Sequence, residues 1–373
     1  MDNYALRTFF KSHDSALING ESIFLYRKDV DFYSNIYLNK FNNGGWSTTQ
    51  LKSPDGYLYS RVSFFTKDYD GVTAHVIFTS RTENDNDAVF ITRIKSNDEG
   101  LTLADAAPLN FINGMSIIKA SGTLVNGVII VSFVDGNTNG AYVVALDAET
   151  YEQLSPVELI DEALSLRYFD EMLGQMTGAI AQFSDDNHGC FLQLSNVREN
   201  ISVFKLVFDK NLGLSCTKLF VITEDDIGAF AGLYDKDKSL VITCYCQFDP
   251  LSKNWSVNGV ANKVFGKVDE QRYDAYSALP LNSSPGIYYR PQVDKAENGY
   301  FVSWEGADML HFKKFNEQIN TVSPEVYFSA NKPGNHQMVY IDGEYFVGYQ
   351  TDCSEPRFVG LGYKNDRVKS DND

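Results

Sequence analysis

The chain has 373 residues and a formal net charge of −17, from 49 acidic and 32 basic side chains. A net negative field repels phosphate backbones and no basic patch interrupts it, which argues against nucleic-acid partners. No apolar run approaches the roughly 20 residues that a membrane-spanning helix needs, and the 22 Tyr and 26 Phe suit pleated surfaces and predict an all-β protein.

The segment Met1–Arg7 lacks an apolar core and a small-residue cleavage site, so no signal peptide is expected. That places the protein in the cytoplasm or on a signal-independent export route. The five cysteines are odd in number and scattered, which fits reduced thiols better than a disulfide framework.

Along the chain the commonest signal is a tight hairpin turn. It recurs at Asn19-Gly20, Asp70-Gly71, Asn126-Gly127, Asn187-His188-Gly189, Asn298-Gly299 and Asp342-Gly343, with Asp235–Lys238 where a further one is due. Asn-Gly and Asp-Gly favour such turns because both residues tolerate positive φ. The six intervals from Gly20 to Gly343 average about 54 residues. Four short strands per interval is the spacing of β-propeller blades, stretched by insertions.

The expected architecture is one domain, residues 1–373, a seven-bladed β-propeller. Its blades span about 14–52, 57–105, 112–159, 172–222, 226–280, 287–328 and 336–363. The clearest unit is the sixth, from Tyr288 to Phe328, which reads as four alternating strands separated by turn residues. The last blade runs out of chain after three strands, whereas Tyr4–Phe10 is a strand with no place in the first. Pairing residues 4–10 onto the last blade would close the ring and remove two exposed sheet edges. Ile160–Leu173 breaks the pattern and reads as one or two helical turns with Asp161 as N-cap.

Chemistry is expected where the innermost strands begin, at the mouth of the central channel. Tyr59 and Arg61 open the second blade, Tyr289 and Arg290 the sixth, His336 the seventh and Asp14 the first. Arg presents planar bidentate donors to a carboxylate, and Tyr or Trp can stack on a sugar face. Trp255, placed in a long second-to-third loop over Asp249–Asn258, is the candidate stacking ring. Glu305 and Asp14 are candidate carboxylates. The loops between second and third strands (27–34, 80–87, 249–258, 350–357) are the longer ones, which points to the same face. The simpler reading of the Pro-Gly openings is repeated structural geometry, with each Arg paired to neighbouring acids.

Several Arg with nearby Tyr (Arg61, Arg290 and Arg167 with Tyr59, Tyr289 and Tyr168) resemble a sialidase-like site. The Ser-x-Asp-x-Gly-x-x-Trp boxes of that family are absent. Cys190, Cys244 and Cys246 lack the partner spacing of a zinc site and read as buried small hydrophobes, so neither metal nor cofactor is expected. His75 and His311 fall within strands and read as structural.

The sequence thus predicts an acidic, lectin-like propeller that binds a carbohydrate or a protein surface through Arg61, Arg290, Tyr59, Tyr289, His336, Asp14, Trp255 and Glu305. The alternatives are a propeller glycoside hydrolase or polysaccharide lyase acting on an acidic sugar, and a protein-interaction scaffold.

Overall fold

The computed structural model describes residues 14–18, 21–30, 33–42, 45–51, 54, 58–68, 73–81, 87–97, 100–112, 114–115, 117–138, 140–161, 169–170, 175–176, 180–184, 189–196, 200–224, 227–265, 272–275, 279–280, 289–296, 299–306, 309–316, 325–329, 333–341, 344–351 and 357–364. Among these the regular structure is all β, apart from one 3-10 turn at Asn110–Ile112.

The strands fall in chain order into antiparallel meanders. The first contains β1 (Asp14–Ile18), β2 (Glu21–Val30), β3 (Tyr33–Asn42) and β4 (Gly45–Leu51). The second contains β5 (Leu58–Asp68), β6 (Ala74–Arg81), β7 (Asp87–Asn97) and β8 (Gly100–Leu103), with β9 (Ala107–Pro108) also on β7. The third contains β10 (Ile117–Val125), β11 (Val128–Asp135), β12 (Gly140–Asp147) and β13 (Glu158–Asp161).

A two-residue ladder of β14 (Phe169–Asp170) and β15 (Gln175–Met176) follows, with β15 lying against the fifth meander. Helical turns were expected in this stretch. The described residues of that stretch, 160–161 and 169–170, lie in strands, with Phe169 opposite Met176. Residues 162–168 and 171–174 lie outside the described set.

The fourth meander contains β16 (Ile180–Ser184), β17 (Gly189–Asn196), β18 (Asn200–Asp209) and β19 (Gly213–Thr223). The fifth contains β20 (Ile227–Asp235), β21 (Leu240–Asp249), β22 (Asn254–Phe265) and β23 (Arg272–Ala275), with β24 (Leu279–Pro280) also on β22. The sixth contains β25 (Tyr289–Ala296), β26 (Gly299–Glu305), β27 (Met309–Phe315) and β28 (Val326–Ser329). The last contains β29 (Pro333–Ile341), β30 (Glu344–Thr351) and β31 (Arg357–Lys364). Its expected fourth strand, Tyr4–Phe10, lies outside the described residues, as do the turn pairs Asn19-Gly20, Asp70-Gly71 and Asp342-Gly343.

Alternation along each strand feeds two different cores. In the second meander Phe65, Val76, Phe78 and Phe90 pack with the first meander's Ile23, Leu25 and Leu38. Their neighbours Phe64, Ile77, Val89 and Ile91 pack with the third meander's Ile129, Val131 and Phe133. Equivalent cores join the third to the fourth, the fourth to the fifth and the fifth to the sixth. Both faces of an inner strand are therefore buried, and β11 and β26 are buried at every position. Such strands read as continuous apolar runs, as Val-Ile-Ile-Val-Ser-Phe-Val does in β11.

The first strands neighbour one another: β1 touches β5, β5 touches β10, and so through β16, β20 and β25 to β29, which touches β1. Between β5 and β10 the approach is close enough for a parallel ladder, Gly122 opposite Thr66 and Leu124 opposite Asp68. Gly122 permits it, because a Cβ there would come within 2.7 Å of the Phe64 ring. Among the described residues no sheet closes on itself. Turn chemistry follows the sequence at Asn126-Gly127, where both residues take positive φ (49° and 76°), as a type I′ hairpin requires.

Candidate functional site: the opening ends of the first strands

The first strands of several meanders share a defect near their openings. In β5 the register jumps between Tyr59 and Ser63, and in β10 between Ile117 and Lys119. It jumps again in β20 between Ile227 and Phe230, in β25 between Tyr289 and Gln292, and in β29 between Gly334 and His336. Each places extra residues on the first strand against its partner. Bulges re-aim side chains and concentrate at barrel rims and beside functional sites. Arg61 lies within the β5 irregularity and Arg290 within that of β25, each following a Tyr that is still in register.

These openings face one way wherever neighbouring meanders can be compared. The β5–β10 ladder is parallel. Lys295 Nζ, near the end of β25, lies 2.8 Å from Asp235 Oδ1 at the end of β20. Glu305 ends β26 opposite Tyr289, the opening residue of β25, and bonds to His336 near the opening of β29.

That last contact is the best-defined polar cluster at this end. His336 Nδ1 lies 3.0 Å from Glu305 Oε1, and the His336 backbone N–H donates to the same oxygen at 3.1 Å. On the other side of the ring, Nε2 lies 2.9 Å from Ser303 Oγ. Ser303 and Glu305, two residues apart on β26, thus grip one imidazole from the next meander. The His336 and Glu305 side chains are 0% and 3% exposed, so the cluster is sealed from solvent. Its connectivity matches a serine–histidine–acid triad, but the hydroxyl meets no solvent from which a substrate could arrive.

Three predicted residues therefore converge: Tyr289, Glu305 and His336. Arg290 immediately follows Tyr289, and Tyr59 and Arg61 occupy the corresponding stretch of the second meander. Asp14 opens β1 opposite Leu25. For Asp14, Tyr59, Arg61, Tyr289 and Arg290 only the backbone is described.

Trp255 departs from expectation. The predicted loop over Asp249–Asn258 is a short turn, in which Asp249 Oδ1 accepts the Leu251 N–H at 2.9 Å and Oδ2 accepts the Ser252 hydroxyl at 2.6 Å. With the turn closed so tightly, Trp255 falls in β22 opposite Phe248 and is buried in the core shared with the sixth meander. Its ring packs on Phe248 at 5.3 Å rather than facing a ligand. Likewise β2 extends to Val30 and β3 starts at Tyr33, shortening the predicted loop over 27–34.

Two of the described cysteines sit in unreactive surroundings. Burial raises the Cys216 thiol to about 11, with the Glu158 charge adding to it. It raises Cys246 well above its ordinary value, with the neighbouring Glu305 charge second. Thiols held protonated are poor nucleophiles and poor metal ligands. Among the described residues no group of three or more His, Cys, Asp or Glu could hold a metal ion. No helix among them is long and apolar enough to cross a membrane.

Sequence reasoning missed Ser303 and the pairing of Lys295 with Asp235. The signal for Ser303 was present: a polar residue two positions before Glu305, on the same face of an otherwise apolar strand, needs a partner.

No protein-family model matches the chain, and neither does any curated protein. Solved structures match in fold. A lectin in complex with alpha methyl fucoside superposes with a TM-score of 0.50 at 8% identity, covering 90% of this chain and 100% of that one. A polysaccharide lyase gives 0.52 at 8% identity, covering 96% and 88%. The hydrazine synthase of Kuenenia stuttgartiensis gives 0.56 at 9% identity, covering 93% and 95%. The neighbours are of β-propeller and lectin-like folds. At such identities the likeness is one of fold alone.

Proposed function

We propose that the chain is a seven-bladed β-propeller that binds a carbohydrate or a protein surface, without transforming it, at the end where its innermost strands open. The observation that supports this most is the recurrence of strand irregularities at those openings, two of them holding a Tyr and an Arg in the same order. Bulges re-aim side chains at rims, so a register break that carries a Tyr and an Arg is what a recognition rim can use. The meanders would stand as blades around an axis, an arrangement that the contact of β29 with β1 favours. In this reading residues 4–10 complete the last blade.

The runner-up is turnover of an acidic sugar, with His336 as proton-transfer group and the two arginines neutralising the carboxylate. It draws on the His336–Glu305 pair. The burial of that pair weighs against it, because a general base must reach the proton it takes. The reading as a pure interaction scaffold requires the openings to be inert.

One experiment separates the three: a glycan array run beside reducing-sugar and unsaturated-uronide assays, on the wild type, Arg61→Ala, Arg290→Ala and a Cys244→Ser control. Binding without product, lost in both arginine variants and kept in the control, is the expected result. Product formation would favour the enzyme. Indifference of every ligand to both arginine variants would leave the scaffold.

A further inference from the structure

The outer half of the sixth meander has a second feature, independent of the strand openings. Trp304, His311 and Tyr327 are direct cross-strand partners on β26, β27 and β28, so their side chains share one face. The Trp304 and His311 rings stack with centroids 5.7 Å apart and planes 5° from parallel. His311 and Tyr327 follow at 5.9 Å and 41°. Exposure climbs along this row, from 0% at Trp304 through 9% at His311 to 61% at Tyr327. Trp304 belongs to the core shared with the fifth meander, so the row runs from that core out to the rim of the sheet.

The imidazole is held in place. Its Nδ1 lies 2.8 Å from Glu325 Oε1, and both side chains remain partly accessible, 11% and 10% exposed. Gly306 makes room for the other side of the ring, since a Cβ there would come within 2.8 Å of Nε2. Met309, two residues before His311 and on its face, is 40% exposed and extends the platform. Tyr327 thus presents a large aromatic ring to solvent beside an imidazole and a carboxylate whose positions are fixed.

We propose that this row is a binding subsite for an uncharged pyranose. Tyr327, with Met309 beside it, offers a flat apolar surface to the C–H face of the sugar ring. A carboxylate has several acceptor positions, so Glu325, 10% exposed, can accept from a ring hydroxyl while it holds His311. Glu325 disfavours a carboxylated sugar here, in contrast to the arginine-bearing strand openings. The subsite does not depend on the reading of those openings.

The test uses the whole chain, labelled with ¹³C-methyl methionine and titrated with methyl hexopyranosides and, in parallel, methyl uronides. The chain has six methionines, so the Met309 signal is assigned with Met309→Leu. A neutral hexopyranoside is expected to shift the Met309 methyl. Tyr327→Ala should weaken the response at least tenfold, Tyr327→Phe should retain it, and Arg290→Ala should leave it unchanged. Tyr327 is exposed, so both substitutions leave the core intact, which thermal unfolding verifies. The proposal is overturned if no neutral pyranoside moves Met309 in the wild type. It is equally overturned if Tyr327→Ala binds as the wild type does, or if uronides are preferred at this site.

Discussion

Two boundaries between neighbouring meanders are built in opposite ways. The second and third meanders are joined by backbone: the parallel β5–β10 ladder at Gly122 and an apolar core around Phe64, Ile129 and Phe133. Their histidine, His75, is fully buried, its Nε2 taking the Arg93 Nε–H at 3.4 Å while Arg93 Nη2 donates to the Ala148 carbonyl at 2.7 Å. The sixth and seventh meanders instead meet through the Ser303–His336–Glu305 cluster. A cation sits beside the first histidine and a carboxylate beside the second. The first boundary can lose a side-chain contact and keep its ladder, whereas the second, among the described residues, is tied by this buried polar cluster.

The largest effect is therefore expected at the second boundary. Glu305→Ala removes the oxygen that meets both the His336 N–H and its Nδ1, and should cost about 2–6 kcal/mol in denaturant unfolding, at about 1–3 kcal/mol for each buried group left unsatisfied. Replacing both partners with Leu should recover much of that loss. If Glu305→Ala costs less than a surface substitution does, the cluster does not hold the boundary together.

At the first boundary the expected effect is a pH dependence. Burial foremost, and the Arg93 charge next, lower the His75 pKa from 6.5 to about 4. The unfolded chain therefore takes up a proton that the folded chain refuses. Stability is complete above pH 6.5, falls as the pH drops through the window toward 4 and then levels, by on the order of 3 kcal/mol. His75→Phe should flatten that part of the curve. An unchanged slope between pH 6.5 and 4 would show that His75 is not the group responsible.

A smaller loss is expected from Gly122→Val, which pushes a side chain into the Phe64 ring and should cost about 1–3 kcal/mol by overpacking. Phe64→Leu in the same chain should relieve part of it. Additive effects of the two substitutions in thermal unfolding would mean that the close approach of β5 and β10 does not depend on Gly122.

Much of the fold was legible in the sequence. Hairpin pairs such as Asn126-Gly127 marked where strands reverse, because few other residues take positive φ at both positions. The first meander has the four strands expected of each unit, with its second and third strands longer than the predicted 27–34 loop allowed. Trp255 was misplaced because Asp249 closes its turn with side-chain bonds, drawing into the strand a ring that composition alone placed in a loop. His336 and Glu305 were legible as candidates at the channel mouth. Their bonding to each other was not, since 31 residues separate them in the chain.

What the sequence determined by itself was local: strand alternation and turn positions, both set by steric rules acting within a few residues. What only the tertiary structure decided was which faces meet. The register breaks in β5 and β25, the grip of Ser303 and Glu305 on His336, and the row from Trp304 out to Tyr327 all arise between strands. Their energies depend on distances fixed by packing, and neighbours along the chain do not encode them.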